Sequence, residues 1–188
     1  MKILGNDIRS GYVIEHEGKI WRAVKTQMIQ PGKGGAFMQV ELRDVRSDNK
    51  LVTRFRSVEP VERVSLEEKD YQFLYAEGDL YTFMEPETYE QVQVRKDVIG
   101  DPAVFLQEGM ICTLRSYEGE FLSVDIPQSV IMTITEADAV VRGQTASSSY
   151  KPAILENGVR ILVPPHIEAG TRVVVNTQEG TYVERAKD

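Results

Sequence analysis

One lysine in this sequence has neighbours suited to presenting it to a partner. Lys33 follows Pro31-Gly32 and precedes Gly34-Gly35. Proline fixes φ and glycine tolerates positive φ, so this segment can form a tip that most sequences cannot. The pattern predicts an exposed lysine held out for contact with another molecule. The alternative is an ordinary solvated turn, because Gly, Pro and Lys are common turn residues.

The residues on both sides of this tip predict two long strands. Residues 20–29 are rich in apolar and β-prone types, and residues 37–43 alternate apolar with polar side chains. A period of two is the pattern of a strand with one buried face. Two such runs joined by a glycine-containing connection form a hairpin. The sequence therefore places Lys33 at the apex of a β-hairpin.

The rest of the sequence does not predict a catalytic or metal site. His16 and His166 lie far apart, and neither neighbours a cysteine or a second histidine. The glycine loop lacks the Lys-Ser/Thr pair and the following helix of a phosphate-binding loop. The neighbouring carboxylates in Glu67-Glu68 and Glu85-Pro86-Glu87 are typical of solvated surface. We expect a protein that is not an enzyme and has no catalytic residue, metal or cofactor.

The composition is that of a globular protein of the cytosol. Of the 188 residues, 41% are hydrophobic and 27% are charged, as in soluble domains. No apolar run approaches the roughly 18 residues of a membrane helix, so we expect no membrane segment. The single cysteine, Cys112, cannot form an internal disulfide and lies in a run typical of a buried strand. These features favour the cytoplasm.

Charge is distributed unevenly along the chain. Residues 1–62 contain 11 Lys and Arg against 8 Asp and Glu, residues 63–127 contain 5 against 14, and residues 128–188 contain 6 against 7. A polyanion approaches where the local charge is positive. The basic excess falls in the part that carries the lysine hairpin. Ordinary variation of surface charge is the alternative explanation.

The charge shifts, together with Pro60 and Pro127, divide the chain into three β-rich segments. Residues 1–62 predict a small β-barrel that carries the lysine hairpin. Residues 63–127 predict about five strands with one short helix, which is typical of an OB fold. Residues 128–188 predict a third small barrel. The fold class predicted is therefore all-β, with three small barrels in a row.

Local signals refine the second and third segments. A strand is predicted over residues 88–94, followed by a helical stretch over residues 95–107 that is broken at Gly100-Asp101-Pro102. In the third segment, Asn157-Gly158 is the strongest two-residue signal for a hairpin turn. These short elements suit small barrels more than a helical domain.

Several segments occur together in an order typical of one known family. Pro31-Gly32-Lys33-Gly34 lies between two predicted strands and is followed by Ala36-Phe37. The other segments that match are Asn6-Asp7-Ile8-Arg9-Ser10-Gly11, Phe55-Arg56-Ser57, Phe83-Met84, Glu87-Thr88-Tyr89-Glu90-Gln91, Ile99-Gly100-Asp101, Lys151-Pro152-Ala153, Asn157-Gly158, Val163-Pro164 and Gly180-Thr181-Tyr182-Val183-Glu184-Arg185. In loop, length and order the chain resembles bacterial translation elongation factor P.

The resemblance implies an architecture and a role. The family has an N-terminal SH3-like (KOW-type) barrel followed by two OB barrels, with a shape similar to tRNA. Its members bind the 70S ribosome between the peptidyl and exit sites, touch rRNA, ribosomal proteins and peptidyl-tRNA, and relieve stalling at consecutive prolines. We therefore expect a cytoplasmic, monomeric translation elongation factor that does not bind a membrane.

The resemblance also implies roles for particular residues. The loop that contacts tRNA and the ribosome would be Pro31, Gly32, Lys33, Gly34 and Gly35. Lys33 would be extended covalently, for instance by β-lysylation, which implies a lysine-modifying enzyme as a partner. The related eukaryotic factor carries hypusine at its equivalent lysine. The residues expected to dock on the ribosome or tRNA are Arg142, Gly143, Gln144, Thr145, Tyr182 and Arg185.

The chain departs from the family pattern at two positions. Gln144 stands where the family usually has aspartate, so a role that needs a carboxylate there is lost. Gln30 stands before the loop where a basic residue is common, which bears on recognition by a modifying enzyme.

Two alternative functions remain open at this point. One is the elongation factor P-like paralogue, whose loop lacks the Pro-Gly-Lys-Gly run. The other is an OB-fold protein that binds single-stranded nucleic acid away from the ribosome. That function requires aromatic platforms on a basic groove, whereas most aromatic residues here lie in strand-like stretches of the acidic middle segment.

Overall fold

The computed structural model describes residues 1–139 and 149–187, and these residues form an all-β protein. Sixteen strands of the described residues form three sheets. Helix is confined there to α1 (Lys96–Ile99) and two 3-10 turns, Gly5–Asp7 and Asp101–Phe105. No helix among them is long and apolar enough to span a membrane. The predicted fold class is confirmed.

The chain divides into two compact units. The first contains Met1–Glu67 and Ser116–Leu122, and the second contains Glu68–Arg115 and the described residues from Ser123 onward. Within the first unit, the Arg22 guanidinium donates a hydrogen bond to the Leu122 carbonyl at 3.0 Å. The domain boundaries expected at 62/63 and 127/128 stay a prediction.

The first sheet holds the lysine hairpin. Its strands follow the order β1-β6-β2-β3-β4-β5. They are β1 (Lys2–Leu4), β2 (Val13–His16), β3 (Lys19–Ile29), β4 (Phe37–Asp44), β5 (Lys50–Arg56) and β6 (Pro60–Arg63). The sequence predicts β3 and β4 individually, but it gives no signal for β1 and β6, which are short and pair with each other from opposite ends of this segment.

Strand β4 shows how the sequence builds this sheet. Met38, Val40 and Leu42 are buried and alternate with partly exposed residues, as a period of two requires. They pack in one cluster with buried side chains from the neighbouring elements, namely Ile8, Ile14, Trp21, Ala23, Phe55 and Val61. A fully buried aliphatic side chain stabilises the fold by about 1.5–3 kcal/mol. This core fixes the base of the lysine hairpin.

The second sheet belongs to the acidic middle of the chain. Its strands follow the order β11-β10-β7-β8-β9. They are β7 (Glu67–Glu77), β8 (Leu80–Met84), β9 (Gln91–Arg95), β10 (Ile111–Tyr117) and β11 (Glu120–Asp125). The predicted helical stretch is present as α1 and the Asp101–Phe105 turn, separated at Gly100, whose φ is +85°. Five aromatic side chains are buried here, Tyr71, Phe73, Tyr81, Phe83 and Phe105.

Two predictions for this sheet are wrong. The strand expected from residue 88 begins at Gln91, because residues 85–90 form a turn in which the Tyr89 N–H donates to the Glu85 carbonyl at 2.9 Å. Glu85 was predicted to be solvated but is 5% exposed. Its carboxylate accepts hydrogen bonds from Thr88 and, at 3.0 Å, from the Glu87 N–H. These bonds, those from Thr88 above all, offset the burial and lower the pKa of Glu85.

The third sheet completes the described chain. Its strands follow the order β14-β13-β12-β15-β16, and β14 also lies against β16. They are β12 (Ser129–Ala137), β13 (Lys151–Leu155), β14 (Arg160–Val163), β15 (Arg172–Asn176) and β16 (Thr181–Arg185). The predicted turn at Asn157-Gly158 joins β13 to β14, and the φ of Gly158 is +83°.

Candidate functional site

The lysine tip stands on a long two-stranded ladder. Strands β3 and β4 pair in an antiparallel register that ends at Ile29 and Phe37. Residues 30–36 connect them and contain no regular element. Every residue from Pro31 to Gly35 is exposed. The structure therefore places Lys33 at the apex of the hairpin, as the sequence predicts.

The tip needs glycine at one position in particular. Gly34 has φ +100°, a conformation that residues with a Cβ rarely adopt. A Cβ added at Gly32, Gly34 or Gly35 would meet no atom within 4 Å. Space is therefore not limiting, and backbone geometry alone distinguishes Gly34 from the other two glycines.

Among the described residues, the Lys33 side chain has no hydrogen-bond or ion-pair partner. Within residues 1–139 and 149–187, its ammonium group makes neither a hydrogen bond nor an ion pair. A lysine ammonium carries three donors and a full positive charge. Lys33 is therefore available to an external hydrogen-bond acceptor, and its primary amine is exposed to solvent.

The base of the loop is fixed, in contrast to its tip. The Ser57 N–H donates to the Ala36 carbonyl at 3.1 Å, which ties the returning strand to the end of β5. The Arg54 guanidinium carbon lies 4.6 Å from the centroid of the Phe37 ring, a cation–π contact. The loop thus projects from a rigid platform.

Gly5 sets the position of β5 beside the loop. A Cβ at Gly5 would lie 2.2 Å from the Arg56 carbonyl oxygen and 3.0 Å from the Phe55 Cβ. The Asn6 N–H, next to it, donates to the Ser57 carbonyl at 3.1 Å. A side chain at position 5 would push β5 away from this turn. Sequence reasoning missed this contact, because a lone glycine near the N-terminus carries no signal of what it faces.

The second group of predicted site residues lies on β16. Because Val183 is an extra residue in this strand, Tyr182 pairs with Val175 while Arg185 pairs with Val173. Paired residues point to the same side of a sheet. Tyr182 and Arg185 therefore share a face although they are three positions apart, which simple alternation would not predict.

Tyr182 also contacts Tyr150, which comes after the predicted docking residues 142–145 in the sequence. Its ring makes an edge-on contact with the Tyr150 ring, with centroids 6.4 Å apart. Burial, followed by the neighbouring Tyr150 and Glu184, raises the pKa of Tyr182, so its hydroxyl stays neutral and can donate a hydrogen bond. Arg185 is exposed. The predicted loop residues Arg142, Gly143, Gln144 and Thr145 lie outside the described residues.

The surroundings of Cys112 and His16 are those of residues that stabilise the fold. Burial raises the pKa of the Cys112 thiol to about 12, which disfavours the reactive thiolate. The His16 ring packs edge-on against Phe55, and the His16 carbonyl accepts a hydrogen bond from the Trp21 indole at 3.0 Å. Residues 1–139 and 149–187 contain no group of three or more His, Cys, Asp or Glu that could hold a metal ion.

Three family models match successive parts of the chain. Residues 4–61 match the elongation factor P KOW-like domain, residues 66–124 match the elongation factor P OB domain, and residues 130–185 match the elongation factor P C-terminal domain. The chain belongs to the elongation factor P family. It is thus a translation elongation factor with a KOW-like N-terminal domain followed by an OB domain.

Relatives named elongation factor P match from end to end. The protein of Rhodospirillum centenum is 57% identical over 188 residues, which is 100% of both chains. Those of Rhizorhabdus wittichii and Brucella canis are 60% and 58% identical over 186 residues, 99% of this chain and 100% of theirs. A solved structure entitled eukaryotic translation initiation factor 5A, from Methanococcus jannaschii, superposes with a TM-score of 0.46 at 20% identity, over 68% of this chain and 92% of that one.

Proposed function

We propose that this elongation factor binds the 70S ribosome beside the peptidyl-tRNA and relieves stalling at consecutive prolines. The observation that carries the proposal is the exposed Lys33 at the tip of a long hairpin, where it has no partner among the described residues. In this proposal the tip, residues 31–35, reaches the acceptor end of the tRNA near the peptidyl-transferase centre. The other two sheets hold the factor in place.

Positioning accounts for such an activity without a catalytic group. Proline is a poor nucleophile with a rigid ring, so joining two prolines depends strongly on how the acceptor ends are aligned. Holding reactants in a reactive geometry lowers the barrier by reducing the entropy lost at the transition state. A cationic side chain that braces the tRNA backbone supplies this alignment. Lys33 would act by aligning the substrate and not by transferring a proton.

A covalent extension of Lys33 would lengthen its reach. The primary amine at the tip is free of competing contacts, so a modifying enzyme can approach it from solvent. Lys33→Arg keeps the charge but removes the primary amine. If modification is needed, Lys33→Arg fails in cells as Lys33→Ala does. Intact mass of the protein from its native cell identifies the modification, and an unmodified mass in fully active protein would reject this part of the proposal.

The C-terminal face carries the second proposed contact. Tyr182 and Arg185 lie on one side of β16, and Arg185 offers a planar fork of donors that suits a phosphate. We assign docking on tRNA or the ribosome to these two residues together with Arg142, Gly143, Gln144 and Thr145. Arg185→Ala should weaken ribosome binding, and an unchanged Kd would remove Arg185 from the site.

The acidic domain is proposed to touch little rRNA. Residues 63–127 carry 14 acidic against 5 basic residues, and like charge opposes approach to a phosphate backbone. Charge reversal at Glu67, Glu87 and Glu90 should leave ribosome affinity unchanged or raise it. Glu85 is left out of this test because its buried carboxylate holds a turn.

We further propose domains at residues 1–62, 63–127 and 128–188, and a monomer that works in the cytoplasm. The competing function, a binder of single-stranded nucleic acid away from the ribosome, would use exposed aromatic platforms. Five aromatic side chains of the middle domain are buried, and Tyr75 and Tyr89, which are exposed, lie in an acidic domain and not on a basic groove, which favours the ribosomal function.

Co-sedimentation tests the proposal as a whole. The factor should pellet with 70S ribosomes that carry peptidyl-tRNA and should speed Pro-Pro synthesis in a reconstituted system. Tight binding to free single-stranded oligonucleotides, with no ribosome binding, would overturn the proposal in favour of the competing function.

A further inference from the structure

One pair of residues far from the lysine tip can react with water. Asn157-Gly158 is the only Asn-Gly pair of the sequence. The backbone nitrogen that follows an asparagine can attack the carbon of the asparagine side chain, and glycine hinders this attack least because it lacks a Cβ. Asparagine is for this reason among the thermolabile residues. Both residues of the pair are exposed to solvent, at the tip between β13 and β14.

We propose that Asn157 is a site of spontaneous modification, in which its side-chain amide becomes a carboxylate, and that the fold restrains this reaction until the tip opens. In the first step the Gly158 nitrogen gives up its proton and bonds to the Asn157 Cγ atom, while the Nδ2 group takes up a proton and leaves as ammonia. In the second step water opens the resulting cyclic imide at either carbonyl, which leaves aspartate or isoaspartate. Water is the only co-reactant, and nothing is oxidised or reduced.

The groups that take part in the first step are all held by hydrogen bonds. The Gly158 N–H, which supplies the attacking nitrogen, donates to the Leu155 carbonyl at 2.8 Å. The Asn157 Oδ1 atom accepts the Val159 N–H at 3.1 Å, and the Nδ2 atom, the leaving group, donates to the Val104 carbonyl at 2.8 Å. These bonds must break before the side chain can turn towards the Gly158 nitrogen. The folded tip should therefore react much more slowly than an open chain.

A second anchor ties the same tip to strand β12. The Glu156 N–H donates to the Thr133 carbonyl at 2.9 Å, and the Glu156 carboxylate accepts the Thr133 N–H at 2.8 Å. Asn157 is bonded on its other side to the carbonyl of Val104, in the Asp101–Phe105 turn. Removing the Glu156 carboxylate would thus loosen the tip without changing any of the reacting atoms.

The modified tip would lose its anchor. A carboxylate at position 157 has no hydrogen to donate to the Val104 carbonyl. Isoaspartate also puts an extra atom into the backbone between β13 and β14, whose register is fixed from Lys151–Val163 to Ile154–Arg160. The expected consequence is a gradual loss of stability in the second unit. It is separate from Lys33 and from the proposed function.

Peptide mass spectrometry of the whole protein tests the proposal. Wild type is incubated at mildly alkaline pH in water enriched in heavy oxygen, both folded and in guanidinium chloride, and is digested at intervals. The label marks carboxylates formed during the incubation, and chromatography separates the aspartyl peptide from the isoaspartyl peptide. We expect both products at residue 157, with a rate at least about tenfold lower in the folded protein because several hydrogen bonds must break first.

Variants at Glu156 test the restraint in native buffer. Glu156→Ala removes the acceptor for the Thr133 N–H and should raise the folded-state rate roughly three- to tenfold. Glu156→Gln keeps an acceptor oxygen without the charge and should stay close to wild type. The matched control is Glu168→Ala, which removes a carboxylate from another exposed position of the second unit and should also react as wild type does. Denaturant titration shows that each variant is folded in this buffer, and in guanidinium chloride all four proteins should react at one rate.

Each contrary result overturns a stated part of the proposal. No labelled product at residue 157 in guanidinium chloride overturns the modification site. Equal rates in folded and unfolded wild type overturn the restraint by the fold, as do equal folded-state rates for Glu156→Ala and wild type. A rise in Glu156→Gln as large as that in Glu156→Ala assigns the effect to charge and also overturns the restraint. None of these measurements uses the ribosome, so the proposed function can fail without affecting this inference.

Discussion

Two hairpin tips of this protein have opposite surroundings. Residues 30–36 connect β3 to β4, and none of the described side chains bonds to Lys33 at their apex. Asn157-Gly158 connects β13 to β14, and the Asn157 side chain is bonded on both sides. Its amide donates to the Val104 carbonyl at 2.8 Å and its carbonyl accepts the Val159 N–H at 3.1 Å. Both tips use glycine at positive φ, yet one is anchored and the other is free.

The difference shows that the side chain at a hairpin tip can either stabilise the fold or stay available to a partner. The polar side chain of Asn157 makes its hydrogen bonds within the second unit, so this tip stabilises the fold. The Lys33 side chain makes no such bond among the described residues, so it contributes almost nothing to stability and is available for function. Mutations at the two tips should therefore separate stability from activity.

The largest effect on activity, after loss of Lys33 itself, is expected at Gly34. Valine at this position forces a β-branched residue into φ +100°, so the loop must change its path and displace Lys33. Gly34→Val should lower the rate of Pro-Pro synthesis by about tenfold or more. The control is Gly35→Val, which adds the same side chain in equal space without a positive φ. Equal rates for the two variants would show that loop conformation does not matter.

At the anchored tip, Asn157, we expect the reverse: a loss of stability without a loss of activity. Asn157→Ala loses both hydrogen bonds, each worth about 0.5–1.5 kcal/mol net, so the free energy of unfolding should fall by about 1–2 kcal/mol while the activity of the folded protein stays at the wild-type level. Asn157→Asp keeps the acceptor for the Val159 N–H but removes the donor to Val104, which isolates that contact. Denaturant titration provides the measurement. An unchanged free energy of unfolding in Asn157→Ala would contradict the contrast between the two tips.

The opposite end of the lysine hairpin predicts a smaller, pH-dependent effect. Asp44, at the end of β4, is 8% exposed and accepts the Arg46 N–H at 2.8 Å and the Ser47 N–H at 3.2 Å. These bonds, the one from Arg46 above all, lower the pKa of Asp44 below its ordinary value near 4. The stability that Asp44 adds is therefore complete above about pH 4 and is lost as pH falls through the lower folded pKa.

A variant series measures this dependence. Asp44→Asn should be less stable than wild type at pH 7, and the difference should shrink as pH falls below about 4. Asp48→Asn is the control, because Asp48 is largely exposed and its contact with Arg43 is long, at 3.7 Å. A difference that stays constant from pH 7 to pH 3 would contradict the assignment.

Local patterns predicted the parts of this protein that local chemistry controls. The alternation in β4, the glycines around Lys33 and the Asn157-Gly158 turn each act over a few residues, so the sequence was sufficient to place them. The need for glycine at position 5 could not be predicted locally, because the atom that Gly5 approaches, the Arg56 carbonyl oxygen, is far along the chain. Strands β1 and β6 are too short to show a period, and they form because β6 pairs with β1 on one side and with β2 on the other.

Other features depended on details that residue types do not encode. The shared face of Tyr182 and Arg185 arises from one extra residue in β16. Glu85 has the same residue type as its solvated neighbours, but the hydrogen bonds of a turn allow it to be buried.

The central claim is that Lys33 acts through its position and not through the fold. The direct measurement is the rate of Pro-Pro bond formation in a reconstituted translation system, with wild type, Lys33→Ala and the control Lys187→Ala each at saturating concentration. We predict that Lys33→Ala folds and binds ribosomes but gives the rate seen without the factor, while Lys187→Ala gives the wild-type rate. A Lys33→Ala rate equal to that of wild type would contradict the account.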